Sequence, residues 1–477
     1  MRIGRSIEMT RTNWSLLLTG IPLAVALGAP ALGADMAVKA PIPKAPIAAP
    51  YAWTGWYIGA NAGYGLGQGQ GTFAFGPGIA GGAGIETFNA MPGGGFGGGQ
   101  LGYNYQINSF VLGAETDIQG AGISDARTCL LHCIGGTFAL IDQKLNWFGT
   151  TRGRVGLATG PVLTYATAGV AYGGTETGVT TAANGASSVT SATKTGWAWG
   201  TGVEAALGGN WTAKAEYLYV NLGSSAVSNT VPGAVGTFSV KNQEQIFRGG
   251  INYRFGPDQT AAIGPTYNWA GFFVGGTFGY GIGRNDSTFI IPAANAEAFF
   301  LSPRGFDAGG ILGYNWQFGS WIVGLDADIQ GSTGSGYLTC ADLCTGAGAT
   351  TIDQKLSWFG TVRGRFGYAI GPALFYATGG AAYGEVKESI TQPAAGSSFS
   401  HSKSGFAVGG GIENKLDFFG LLGPNWTTRT EYLYVDLGSI RDTFSNPAVP
   451  GGAVQTLAGN LHEHVWRTVV SYKFGAP

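Results

Sequence analysis

The chain has 477 residues, enough for two domains, and only 11% of them are charged, against roughly 25% in an ordinary soluble domain. Its 85 glycines and 13% aromatics come without any internal apolar run near the ~20 residues that a membrane helix requires. A net charge of −1, with no Lys/Arg cluster among the aromatics, argues against a nucleic-acid partner and fits a transmembrane β-barrel, whose apolar signal is diluted by alternation.

Residues 1–34 read as a secretory signal peptide. Arg2, Arg5 and Arg11 precede an apolar core from Leu16 to Leu27, and Ala31, Gly33 and Ala34 offer a cleavage site. Pro22 and Pro30 argue against a single anchoring helix. Residues 35–50 hold Pro41, Pro43, Pro46 and Pro50, which predicts an extended linker. Export to the bacterial outer membrane is the localisation this implies.

Residues 51–255 contain eight segments with period-two alternation, near 54–66, 95–107, 110–120, 142–158, 161–173, 194–207, 211–222 and 243–255. Short links at Asn108-Ser109, Thr159-Gly160 and Gly208-Gly209-Asn210 alternate with long Gly/Ser/Thr-rich ones at 67–94, 121–141, 174–193 and 223–242. That is the pattern of outer-membrane barrels, with short periplasmic turns and long outer loops. In the last segment, Phe247, Ile251, Tyr253 and Phe255 share one face, and Arg248, Asn252 and Arg254 the other. Aromatics at both strand ends predict girdles at the two membrane interfaces.

Residues 256–268, with Pro257 and Pro265, read as a second linker, and 269–474 repeat the first unit. The run Asp142–Arg154 returns 211 residues later as Asp353–Arg365, and Glu216–Gly223 returns as Glu431–Gly438. So long a period marks a duplicated domain, since solenoid repeats run ~20–50 residues.

Parity along the strands sets the charges on the face opposite the aromatics. In the first unit these are Glu115, Asp117, Arg152, Arg154, Glu204, Lys214, Glu216, Arg248 and Arg254. The second repeats them as Asp326, Asp328, Arg363, Arg365, Glu413, Arg429, Glu431, Arg467 and Lys473. Such charges turn inward, because a basic residue on the lipid face costs roughly 2–4 kcal/mol at mid-bilayer. Eight strands enclose a lumen that side chains fill, so a plug of ion pairs is expected. A charged constriction that filters solutes is the alternative.

Cys129-Leu-Leu-His-Cys133 and Cys340-Ala-Asp-Leu-Cys344 lie in matching outer loops, and an exported, oxidising location makes a disulfide the expectation for each. A zinc site would recruit His132, which has no counterpart in the second unit. His462-Glu-His464 alternates as two ligands on one strand face would, but the first unit has Gln243-Glu-Gln245 there. His132, His401, His462 and His464 all fall in or beside predicted loops, and no spacing selects a catalytic set. Gly63-Tyr-Gly-Leu-Gly67 lacks the helix of a dinucleotide fingerprint. Neither a metal, a cofactor nor an enzyme activity is expected.

Trp53-Thr-Gly-Trp-Tyr-Ile-Gly59, Trp147-Phe-Gly-Thr-Thr-Arg-Gly-Arg154, Glu216-Tyr-Leu-Tyr-Val220 and Tyr253-Arg-Phe255 resemble the small porin-like outer-membrane proteins of alphaproteobacteria, often called outer membrane immunogenic proteins. The resemblance implies an all-β fold, an eight-stranded antiparallel barrel and a surface-exposed role contributing to envelope integrity; it does not imply a catalytic activity. The chain departs from the family in being doubled and in continuing past Phe474 to Gly-Ala-Pro477. Sixteen strands close either as two tandem barrels or as one wide barrel with an aqueous channel. The linker, and a first and last strand in each unit, favour two. The expected function is a structural, surface-exposed envelope protein; a diffusion pore for small hydrophilic solutes is the alternative, and an outer-membrane enzyme a third. Expected partners are outer-membrane lipid, lipopolysaccharide and the barrel-insertion machinery.

Overall fold

Backbone amides and carbonyls in lipid have no water to bond, so strands persist there only as a closed ring. The chain meets that requirement twice. A computed structural model describes residues 51–475 except 76–83, 130–138, 182–186, 230–235, 257–266, 291–295, 341–349, 393–394, 417–421 and 446–453. The predicted signal peptide and linker, 1–50, lie outside the described residues, as do Cys133 and Cys344 and with them the two expected disulfides.

The first unit runs β1 (Gly55–Gly67), β2 (Gly69–Phe75), β3 (Gly84–Ala90), β4 (Gly93–Ile107), β5 (Phe110–Cys129), β6 (Ala139–Thr159), β7 (Val162–Thr181), β8 (Ser187–Gly208), β9 (Trp211–Asn229) and β10 (Gly236–Arg254). Strand β1 and strands β4 to β10 pair antiparallel in order, and β10 returns to β1 with Arg254 opposite Tyr57. The second unit runs β11 (Gly271–Gly283), β12 (Asn285–Ile290), β13 (Ala296–Leu301), β14 (Arg304–Phe318), β15 (Trp321–Ser332), β16 (Ser335–Cys340), β17 (Thr350–Ile370), β18 (Ala373–Gln392), β19 (Ala395–Lys415), β20 (Trp426–Ser445) and β21 (Val454–Lys473). It closes on itself where Lys473 of β21 meets Phe273 of β11. The single wide barrel is therefore not formed. Each unit's last strand bonds its own first strand.

The strands outrun the alternation that predicted them. The β5–β6 ladder continues to Cys129 opposite Ala139, β7–β8 to Thr180 opposite Ser187, and β9–β10 to Asn229 opposite Gly236. Most of the predicted loops at 121–141, 174–193 and 223–242 are thus ladder. Beyond the bilayer neither face must be apolar, so the sequence signal fades while backbone pairing goes on. Within 67–94, β2 pairs with β3 and carries the β1–β4 hairpin outward past a break at Met91-Pro92. Pro92 has no amide hydrogen for the ladder, and Pro303 breaks the second unit at the same place. The β4–β5 turn puts Asn108 at φ 54°, and the matching turn puts Gly319 at φ 63°. Both residue types tolerate this left-handed conformation.

Outside the rings, Trp56 and Tyr103 (centroids 5.1 Å apart) and Trp211 and Tyr253 (5.2 Å) begin a girdle at the short-turn end. Trp147 with Tyr172 and Trp197 with Tyr219 mark the other end. Between them Ile118 is 58% and Val155 56% exposed, as lipid-facing side chains are. Not every outward residue meets lipid. Leu66, Tyr217 and Phe247 of the first barrel pack on Ile282, Tyr432 and Trp466 of the second. Leu66 and Ile282 hold the same place in the two repeats, as do Tyr217 and Tyr432, and Phe247 and Trp466. One face of the repeat thus meets its own copy in a pseudo-two-fold contact.

Candidate functional site in the barrel interiors

Inward residues of each barrel lie in layers. At the short-turn mouth of the first, Trp53 is fully buried against Val111, Ala158, Leu163 and Tyr165, and its indole donates to the Gly160 carbonyl at 3.0 Å. Arg254 lies over the Trp53 ring at 5.2 Å and donates to the Ala52 carbonyl. In the second barrel Trp269 has the same place, with Lys473 donating to the Ala270 carbonyl at 3.2 Å.

Above the mouth sits the charged layer, built by residues from β5, β6, β8, β9 and β10. Arg152 donates to Glu115 at 2.7 Å, Asp117 at 2.9 Å and Glu216 at 3.1 Å. Arg248 reaches Glu216 at 2.6 Å and Asp117 at 2.9 Å, and Lys214 reaches Glu115 at 2.8 Å. Arg154 bonds Glu204 at 3.1 Å and stacks between the Tyr57 and Tyr165 rings. Tyr57 and Tyr165 complete the layer by donating to Glu115 and Glu216.

The second barrel repeats this with smaller parts. Arg363 bonds Asp328 at 3.0 Å and Glu431 at 2.9 Å, and Arg467 bonds the same two acids, each at 2.9 Å. Arg365 takes Glu413 at 2.6 Å, and Arg429 takes Asp326 at 3.2 Å. Asp326 stands where the first unit has Glu115, and Phe273 where it has Tyr57, so one hydroxyl contact is gone. All eighteen residues assigned inward from parity are buried. Sixteen meet in the two lattices; Arg254 and Lys473 instead bind carbonyls at the mouth.

Sequence reasoning missed the layer above. Phe96, Ile123, Leu145, Phe148, Leu218, Val220 and Ile246 form an apolar cluster inside the first barrel, matched in the second by Leu356, Phe359, Val386, Leu433, Val435 and Val465. The signal was present. Leu218 and Ile246 share the parity of Glu216 and Arg248, but an apolar residue on the polar face was easy to pass over. Mouth residues Trp53 and Trp269, read only as strand openings, were missed too. Glu244 and Glu463, the middle residues of Gln243-Glu-Gln245 and His462-Glu-His464, also face inward and are buried.

Of the histidines, read as in or beside loops, only His401 needs correction, since it is paired within a strand. His401, His462 and His464 belong to strands β19 and β21, while His132 lies outside the described residues. His464 faces outward, bonded through Nδ1 to the Tyr432 hydroxyl at 2.7 Å and stacked on Tyr64 of the other barrel. Among the described residues no three His, Cys, Asp or Glu side chains gather as a metal site.

The family model described as outer membrane protein beta-barrel domain matches residues 40–255 and again 258–474. The chain belongs to that outer-membrane barrel family. Its relatives include a 31 kDa outer-membrane immunogenic protein of Brucella melitensis, 36% identical over 248 residues, or 50% of this chain and 99% of that one. A 22 kDa outer membrane protein of Rhizobium leguminosarum is 34% identical over 38% of this chain and 70% of its own length. Among solved structures, Neisserial surface protein A aligns over 42% of this chain and 98% of its own at 17% identity, with a TM-score of 0.22. Membership places the protein in the outer membrane, and the family and these relatives are named as outer-membrane and immunogenic proteins, not as enzymes. Here the family's unit occurs twice.

Proposed function

We propose that the protein is a structural, surface-presenting component of the outer membrane whose two barrels do not conduct. The observation that carries this is the stacking of a charged lattice between an aromatic mouth and an apolar layer in each lumen. An ion crossing it would have to break several buried ion pairs and then enter a layer without polar partners, each costing several kcal/mol. The carboxylates of the charged lattice are paired with arginine or lysine, which leaves them no acid–base role, and this reading includes no catalysis. What the protein offers its surroundings is the ladder projecting outward. The Brucella relatives are named immunogenic, and exposure of these same projections supports the same property here. Outer-membrane lipid and lipopolysaccharide would bathe the girdles, and the barrel-insertion machinery would receive the strands.

The test is conductance of the refolded full chain in a planar bilayer, with β-rich circular dichroism as the folding control. Silence is the expected result. Steady nanosiemens-scale steps would overturn the proposal in favour of a solute pore.

A further inference from the structure

The pseudo-two-fold contact leaves a seam on either side, where two rounded walls diverge. On one seam Phe375 of β18 packs with Val203, Ala205 and Ala215 of the first barrel. On the other, the repeat puts Thr164 in the place of Phe375 and Thr430 in the place of Ala215. There the two walls enclose an open groove of about 450 Å³, lined by Val155, Leu157, Thr164 and Ala166 on one side and, on the other, by Thr428, Thr430, Thr468 and Asn414, whose amide is bonded to the Lys415 carbonyl. That volume is within the roughly 300–1,000 Å³ of ordinary ligand sites.

Val155, Thr164, Thr430 and Thr468 have the parity of the outward face, so the groove opens to the bilayer and not to a lumen. It begins just above the short turns at Gly160-Pro161 and Gly209-Asn210, in the periplasmic half of the membrane. Water is excluded at that depth, so the occupant is apolar. Its shape is shown by the opposite seam, where a phenyl ring of the protein fills the matching space.

We propose that this seam binds one acyl chain of a phospholipid of the periplasmic leaflet, which stands where Phe375 stands across the pseudo-two-fold axis. The threonines keep the groove open, and the bound chain wedges the two barrels at a fixed spacing.

The experiment is native mass spectrometry of the full chain extracted from its own membranes in mild detergent, counting lipids that survive washing. One phospholipid per chain is expected. Thr164→Phe copies the residue already tolerated in the second barrel and should lower retention at least tenfold. Phe375→Thr opens the other seam and should hold a second phospholipid. Ala166→Phe replaces Thr164→Phe if that variant does not fold, as judged by gel mobility before and after boiling. Absence of retained lipid on the unaltered chain, equal retention on the filled variants, an unchanged count for Phe375→Thr, or lipopolysaccharide in place of phospholipid would each overturn the proposal.

Discussion

Arg152 touches Glu115, Asp117 and Glu216 at once, and that multiplicity decides what its loss does. Arg152→Ala leaves several buried carboxylates short of counter-charge, a change that costs about 3–5 kcal/mol where one partner of a buried pair is removed. Denaturant unfolding of the detergent-refolded chain should show it, and Arg363→Ala should behave alike in the second barrel. The surface pair Lys144–Glu176 should matter far less, because water screens it. Outside the bilayer, Glu388 lies on the part of β18 beyond Tyr383 and the outer girdle. Burial, with the Asp442 carboxylate beside it, holds Glu388 up at about 8 against its usual 4.5. Between those values the folded state holds a proton that the unfolded state has lost, so this site's stability is full below about pH 4.5 and falls as pH rises to about 8. Protection factors of the β18–β20 amides, with the intrinsic pH dependence of exchange divided out, should be higher at about pH 5 than at about pH 8, and Glu388→Gln should flatten the difference. The inward charges could be read from the sequence because each falls on the period-two parity opposite the outward apolar residues, as Glu216 does between Ala215 and Tyr217. Which carboxylate each arginine meets could not be, because Arg248 and Asp117 are 131 residues apart.

At the scale of the strand, the short turns set the register. Asn108 sits at φ 54°, where a β-branched side chain collides with its own backbone. Asn108→Val is expected to destabilise the β4–β5 hairpin by roughly 1–2 kcal/mol, whereas Asn108→Gly should be close to neutral. Equilibrium unfolding of the two variants beside the unaltered chain checks this. Strand positions within the bilayer were legible, since lipid on one side and a lumen on the other force period-two alternation. Strand ends were not. Ser187–Lys194 is paired along its length yet carries no alternation, because water meets both faces there. The breaks at Pro92 and Pro303 were equally visible as residues, but only the pairing shows that the hairpins resume beyond them.

For the molecule as a whole, the contact between barrels is the element that a single repeat cannot supply. Leu66 and Ile282 are fully buried there although both face outward from their rings. Replacing both by alanine removes well-packed apolar volume, at about 2–5 kcal/mol per site in a close-packed core. Spin labels on the two barrels should then report a broadened distance distribution, while each ring keeps its resistance to unfolding in detergent. An unchanged distribution would show that the barrels are held together elsewhere.

The sequence by itself determined the class of the protein, the doubled unit, the eight strands of each ring and the inward parity of the lattice charges. All of these follow from a local rule, since a strand between lipid and lumen must alternate. Only the tertiary structure decided that β10 closes on β1 and β21 on β11, and that Tyr217 and Phe247 meet a second barrel and not lipid. Period-two alternation says which face a side chain takes, but not which strand edge completes the ladder. Nor can it separate lipid from a neighbouring barrel, because both present the same apolar surface to an outward ring.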